Sequence, residues 1–170
     1  SKVEFLSGTT LIATVTTAPY QFTWSSVAAG TYSLTARATD NSGGVTTSAA
    51  ASVRVNALPT AAVSSSPGTA VAPGSFTLAA TAADSDGTIT QVEFLSNGAV
   101  INTATVAPYS FVWSGVGVGS YSVTARATDS NSQQTTSAPI TVTVLANQLP
   151  TVSLSQPANG AVLAGPTASI

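Results

Sequence analysis

Val92-Glu93-Phe94-Leu95-Ser96 and Gly119-Ser120-Tyr121-Ser122-Val123-Thr124-Ala125-Arg126-Ala127-Thr128-Asp129 decide the fold. Along the second stretch Tyr121, Val123, Ala125 and Ala127 share one face, and Ser122, Thr124 and Arg126 share the other. That is the period of two of a half-buried strand, not the 3.6 of a helix. In the first stretch Val92 and Phe94 point inward, so Glu93 points out. Laid side by side in one sheet, the two strands put Glu93 and Arg126 on the outer face as a solvent-facing cross-strand ion pair.

Both stretches occur twice. Residues 3–55 align without a gap on residues 92–144, and 30 of the 53 positions are identical. The shared landmarks are Val3–Ser7 with Val92–Ser96, Ala18–Trp24 with Ala107–Trp113, and Gly30–Asp40 with Gly119–Asp129. Leu58-Pro59-Thr60 recurs as Leu149-Pro150-Thr151. Self-similarity of this kind marks a chain built from repeated modules. The expected organisation is the C-terminal part of one repeat over 1–56, a complete repeat over 57–146, and the N-terminal strand segment of a further repeat over 147–170. Asn56-Ala57-Leu58-Pro59 and Asn147-Gln148-Leu149-Pro150 read as joints, short and semi-rigid because proline restricts itself and the residue before it.

Within the complete repeat, short Val/Thr/Phe/Tyr runs lie between Gly, Asn, Asp, Pro and Ser. They predict strands near 60–65, 75–83, 90–96, 99–106, 109–114, 119–128 and 134–144. Residues 1–55 then carry the last five. Seven short strands in one module argue for an antiparallel sandwich. Tyr121 stands two residues before Val123, the spacing of a corner tyrosine before a core position. The fold class expected is all-β, tandem immunoglobulin-like antiparallel β-sandwiches.

The VEFLS, APYSFVW and GSYSVTARATD motifs, with the opening LPTVSLSQPANGAVLAGPTASI, resemble the bacterial Ig-like repeats found in tandem in secreted and cell-surface proteins. The resemblance spans essentially the whole chain. It implies a spacer or stalk module of an extracellular adhesin or surface filament.

Composition narrows the chemistry. The 170 residues include no His and no Cys, which removes Ser-His-Asp and Cys-His catalysis, the usual zinc ligands and disulfides. Charged residues are 6% and the net charge is −2, and four basic side chains cannot neutralise a row of phosphates, so a nucleic-acid partner is not expected. No run of about 20 apolar residues is present to span a bilayer as a helix.

Six acids remain. Glu4 repeats as Glu93 and Asp40 as Asp129, so a glycosidase dyad would be duplicated in neighbouring modules without a cleft, and no catalytic residue or enzyme activity is assigned. Asp84-Ser85-Asp86-Gly87 joins strands two and three, at the end of the sandwich where Asp129 sits. Asp84, Asp86 and Asp129 are the candidate metal ligands, for Ca²⁺, since alternating carboxylates around a Gly suit a hard cation. The competing reading is an ordinary Asp-Gly turn with no cofactor. Tyr109, Phe111 and Trp113 alternate on one strand face. The expected reading is sandwich core, with Trp113 half-exposed at the rim; the alternative makes Tyr109 and Trp113 a platform for a surface glycan. Expected partners are neighbouring copies or repeats of the same protein, head to tail. Residues 149–170 are expected to lie extended and away from 1–55, with Val152 and Leu154 against an apolar surface of a neighbour.

The functional expectation is a non-catalytic structural module at the bacterial cell surface, and the alternative is a glycan-binding accessory module of a secreted carbohydrate-active protein.

Overall fold

The computed structural model describes residues 1–153, 159, 160 and 162. In chain order the strands are β1 Lys2–Ser7, β2 Thr10–Val15, β3 Gly30–Thr39, β4 Val45–Thr47, β5 Ala51–Val55, β6 Thr60–Ser66, β7 Thr69–Val71, β8 Gly74–Ala83, β9 Ile89–Ser96, β10 Ala99–Ala104, β11 Tyr109–Val116, β12 Gly119–Asp129, β13 Gln134–Thr136 and β14 Ile140–Leu145. There is no helix among the described residues. Leu154, expected against a neighbour, lies outside them. Residues 147–153 form no strand.

The second repeat is a two-layer sandwich. One sheet runs β11-β8-β6, and the other runs β10-β9-β12-β14-β7, with β13 also on β12. Alternation does the sorting. Phe76 and Leu78 from β8, Val92 and Phe94 from β9, Val123, Ala125 and Ala127 from β12, and Val142 and Val144 from β14 close a core from which water is excluded. Between β9 and β10 the chain reverses through Asn97 (φ +50°) and Gly98 (φ +84°), the left-handed pair that a two-residue hairpin needs. The Tyr121 hydroxyl donates to the Gly117 carbonyl at 3.0 Å, and Tyr32 donates to Ala28 at 2.8 Å. Each repeat therefore has its corner tyrosine.

Three strand expectations are corrected. First, 134–144 is two strands, broken at Ser137-Ala138-Pro139. Proline is not the cause. Ser137 donates its amide to Ala125 O (2.8 Å), and its Oγ accepts from Ala125 N (3.0 Å) and donates to Ala138 O (2.9 Å). The hydroxyl takes over a ladder position. Ser48 does the same to Ala36 and Ala49, at 2.8, 3.0 and 2.8 Å, with Ala50 where Pro139 stands.

Second, β7 was not expected. It pairs in parallel with β14, covering that edge, while β6 before it belongs to the other sheet. Pro67 and Pro73, which lack the N–H a ladder needs, bracket the crossing.

Third, residues 1–55 contain four of the five expected counterparts, the last split in two as in the second repeat. The segment Tyr20–Trp24 is no strand, although Tyr109–Val116 is. In the second repeat β11 is held by β8, with Tyr109 opposite Ala80, Phe111 opposite Leu78 and Trp113 opposite Phe76. Residues 1–55 form a single sheet, β2-β1-β3-β4 with β5 also on β3, and no described strand pairs with Tyr20–Trp24. The rings still find their seats. Phe22 packs on Phe5 at 4.9 Å and Trp24 on Tyr32 at 5.1 Å, as Phe111 packs on Phe94 at 5.1 Å and Trp113 on Tyr121 at 5.3 Å. Phe5 and Leu34, counterparts of the fully buried Phe94 and Val123, are only half-buried and line an apolar cleft of about 430 Å³.

Glu93 and Arg126 are direct partners across β9 and β12, with Nε and a terminal nitrogen donating to Oε2 at 2.8 and 2.7 Å. The pair lies on the outer face but is more covered than the solvent-exposed pair expected. Only 15% of the Glu93 side chain and 32% of Arg126 is accessible. Glu4 and Arg37 repeat the pair, and Lys2 joins it at 2.8 Å. The bond from Lys2 holds the Glu4 carboxyl below its ordinary range against the opposing pull of burial, and Arg37 adds to the effect.

Two stability outcomes follow. Arg126→Ala should cost about 1–2 kcal/mol by chemical denaturation, above the ~0.2–1 kcal/mol of a fully exposed pair, because a largely covered carboxylate loses both its bonds. Phe94→Ala should cost about 3–5 kcal/mol, while Phe5→Ala costs a small fraction of that, since only the first leaves a closed cavity.

Candidate functional site: the joint at Asn56

The residues singled out as metal ligands meet at the seam between β5 and the second repeat. Asp129 ends β12 and is 1% exposed. Its Oδ1 accepts from the amides of Asn131 and Gln133, both at 2.8 Å, which caps its own turn. Its Oδ2 accepts from Asn56 Nδ2 at 2.7 Å. Asn56 Oδ1 in turn accepts from Asn131 Nδ2 at 2.7 Å. Asp86 accepts from the Ala57 amide at 3.2 Å and pairs with Arg54 at 3.1 Å, and Arg54 also donates to the Asp86 carbonyl at 2.7 Å. Pro59, which follows at once, is fully buried. Arg54, Asn56 and Ala57 of the connection are thus bonded to two loops of the next repeat.

Burial pushes the Asp129 carboxyl up, but the Gln133 amide, the Asn56 side chain and the Asn131 amide outweigh it and hold it below the ordinary range, with Asp86 opposing. Burial also raises Asp86, and the Ala57 amide and Arg54 overcome it. Asp129 is held as a carboxylate by donors of its own loop and by Asn56 of the connection, and Asp86 by donors of the connection.

Asp84 stands apart. Its Oδ1 accepts weakly from the Asp86 amide at 3.4 Å, and its Oδ2 is buried without a partner, facing the bare backbone of Gly87, where an added Cβ would also meet Ser130 Oγ at 2.9 Å. No group of three His, Cys, Asp or Glu side chains among the described residues is arranged to hold a metal ion. A cation in this loop would have to displace Arg54 from Asp86 and Asn56 from Asp129. Composition could not reveal that the partners of Asp86 and Asp129 lie some 30 and 70 residues away, at 32 and 73 positions in sequence.

The aromatic row lies on the inner face. Tyr109, Phe111 and Trp113 pack against the core cluster. The Trp113 ring meets Phe76 at 6.1 Å and Tyr121 edge-on at 5.3 Å. The outer face of β11 carries Ser110, Val112 and Ser114.

A family model described as Bacterial Ig domain matches residues 1–36 and 59–125, the first within the partial repeat and the second within the complete one. The chain belongs to this family. Among solved structures, this Ig chain is similar to the fibronectin(III)-like modules of Clostridium thermocellum CbhA, with 35% identity, 87% of this chain and 78% of that chain covered, and a TM-score of 0.47. It is also similar to the central fibronectin-III array of RIM-binding protein (16% identity, 88% and 58% covered, TM-score 0.40) and to murine CEACAM1b (14%, 85% and 85%, 0.35). No curated protein matches the chain.

Because both joint carboxylates titrate below their unfolded value in the folded Ig chain, their contribution to stability is complete above about pH 4 and is lost as pH falls through the folded-state value. The melting temperature should therefore be level from about pH 5 to 7 and fall below about pH 4. Asn56→Ala should lower the level at neutral pH and shrink the acid fall, because Asp129 loses the donor that depressed it. Circular-dichroism melts across pH check both.

Proposed function

We propose that this Ig chain is a length of a non-catalytic rod outside the bacterial cell, a stalk, adhesin shaft or filament in which Ig repeats follow one another head to tail. The observation that carries it is the clasp at Asn56. A loose tether would leave Arg54, Asn56 and Ala57 to water. Here each is bonded to Asp86 or Asp129, and Pro59 is packed away beneath them. A connection of this kind transmits orientation from one repeat to the next, which is what a spacer requires.

The absence of His and Cys from the sequence and the structural employment of Glu4, Glu93, Asp86 and Asp129 support a role without catalysis. No described helix is long and apolar enough to cross a membrane. The inward packing of Tyr109 and Trp113 favours the rod over the glycan-binding alternative.

The chain has no cysteine, so dyes attach cleanly at introduced ones. With Thr9→Cys and Val118→Cys labelled, single-molecule energy transfer should give one narrow distance distribution. Arg54→Ala with Asn56→Ala should broaden it several-fold. A broad distribution in the unmodified joint overturns the rod.

A further inference from the structure

The second repeat reverses from β9 into β10 through Asn97-Gly98, and both residues are exposed. Asn97 is tied twice to Ser122 of β12. Its amide donates to the Ser122 carbonyl at 2.8 Å, and its Oδ1 accepts from the Ser122 amide at 3.0 Å. The first repeat builds the same turn with Gly8-Thr9. Gly8 takes the same left-handed conformation (φ +59°), and its amide donates to the Ser33 carbonyl at 2.8 Å. The turn therefore does not need asparagine. What Asn97 adds is a side-chain bond to Ser122 and a reactive amide.

An asparagine followed by glycine can react with its own main chain. The Gly98 nitrogen attacks Asn97 Cγ, the bond from Cγ to Nδ2 breaks, and ammonia leaves with the proton of the Gly98 nitrogen, so a cyclic imide closes. Water then opens the imide. Addition at Cγ gives aspartate. Addition at the main-chain carbonyl gives isoaspartate, whose main chain runs through Cβ and Cγ and is longer by a methylene. Glycine has no side chain to hinder the attack, and nothing stands within 4 Å of the place a Cβ on Gly98 would take, so water reaches the turn freely.

We propose that Asn97-Gly98 is a deamidation site that the folded hairpin holds shut, so that its conversion records openings of β10. To meet the Gly98 nitrogen, Asn97 Cγ must turn, and the Oδ1 bond to Ser122 and the left-handed backbone of Asn97 (φ +50°) hold it where it is. Reaction in the native chain then proceeds through the fraction of time in which the hairpin is open. The step is one-way, because ammonia is lost. The two products differ in what they leave behind. Aspartate keeps the turn, since a carboxylate oxygen still accepts from the Ser122 amide. Isoaspartate breaks it, because the added methylene enters a two-residue turn whose flanks, Ser96 and Ala99, are direct cross-strand partners. β10 then loses its register, and with it the seats of Ile101 and Ala104 against the core. The site stands on the hairpin alone and does not depend on the rod reading.

Peptide mapping by mass spectrometry, on the whole chain kept in mildly alkaline buffer with and without urea, tests it. Asn97 should convert at least about tenfold more slowly in the folded chain than in the unfolded one, because the open hairpin is a minor state. Urea raised in steps below the unfolding transition should quicken hydrogen exchange in β10 and conversion of Asn97 in the same proportion. Asn97→Gly, which installs the residue of the first repeat, should fold and remove the signal from this peptide. The isoaspartyl chain, separated by chromatography, should lose hydrogen-exchange protection across β10, while Asn97→Asp keeps it. Equal conversion rates in the folded and unfolded chain overturn the inference. So does β10 exchange that quickens in urea while conversion does not, or an isoaspartyl chain whose β10 stays fully protected.

Discussion

The strand β8 is the constraint on which the rest depends. It is hydrogen-bonded on both sides, to β6 and to β11, and its inward residues Phe76 and Leu78 seal the sheet that carries Phe94 and Val123. The first repeat shows what the same residue types do without such a strand across from them. Tyr20–Trp24 keeps the ring contacts of its counterpart but forms no ladder, and Phe5 and Leu34 stay half-covered. The ring contacts to the β9 and β12 counterparts, β1 and β3, survive without a ladder. Backbone pairing and full exclusion of water need the second layer.

At the joint, the polar residues are arranged by the same economy. Asp129 serves two purposes with two oxygens, one closing its own loop and the other receiving Asn56. A buried carboxylate is tolerated because both of its oxygens meet donors. The loop of Asp84 is less complete, with one carboxylate oxygen buried and unmatched. The seam is therefore held by directional contacts, the hydrogen bonds and ion pair of Arg54, Asn56 and Ala57.

Membership of the bacterial Ig family is consistent with a structural module. The small charge inventory fits the same picture. All four basic residues, Lys2, Arg37, Arg54 and Arg126, are engaged by Glu4, Asp86 or Glu93, so charge here is used for pairing strands and repeats.

Much of this was legible in the sequence. Period-two alternation identified the inner residues of β9 and β12, and through them the opposition of Glu93 and Arg126, because side-chain direction in a strand is a matter of parity. The internal repeat paired the twin corner tyrosines. What parity cannot reveal is which backbone groups find partners. The break at Ser137 arises from a hydroxyl competing with the ladder, and its twin at Ser48 was equally hidden. β7 exists because a parallel edge was open to it. Whether an aromatic segment becomes a strand depended on β8, since Ala107–Trp113 and Ala18–Trp24 share most of their residues yet differ in structure. The partners of Asp86 and Asp129 likewise came from residues distant in sequence. Local pattern sets which way a side chain points; only the assembled layers decide what it meets there.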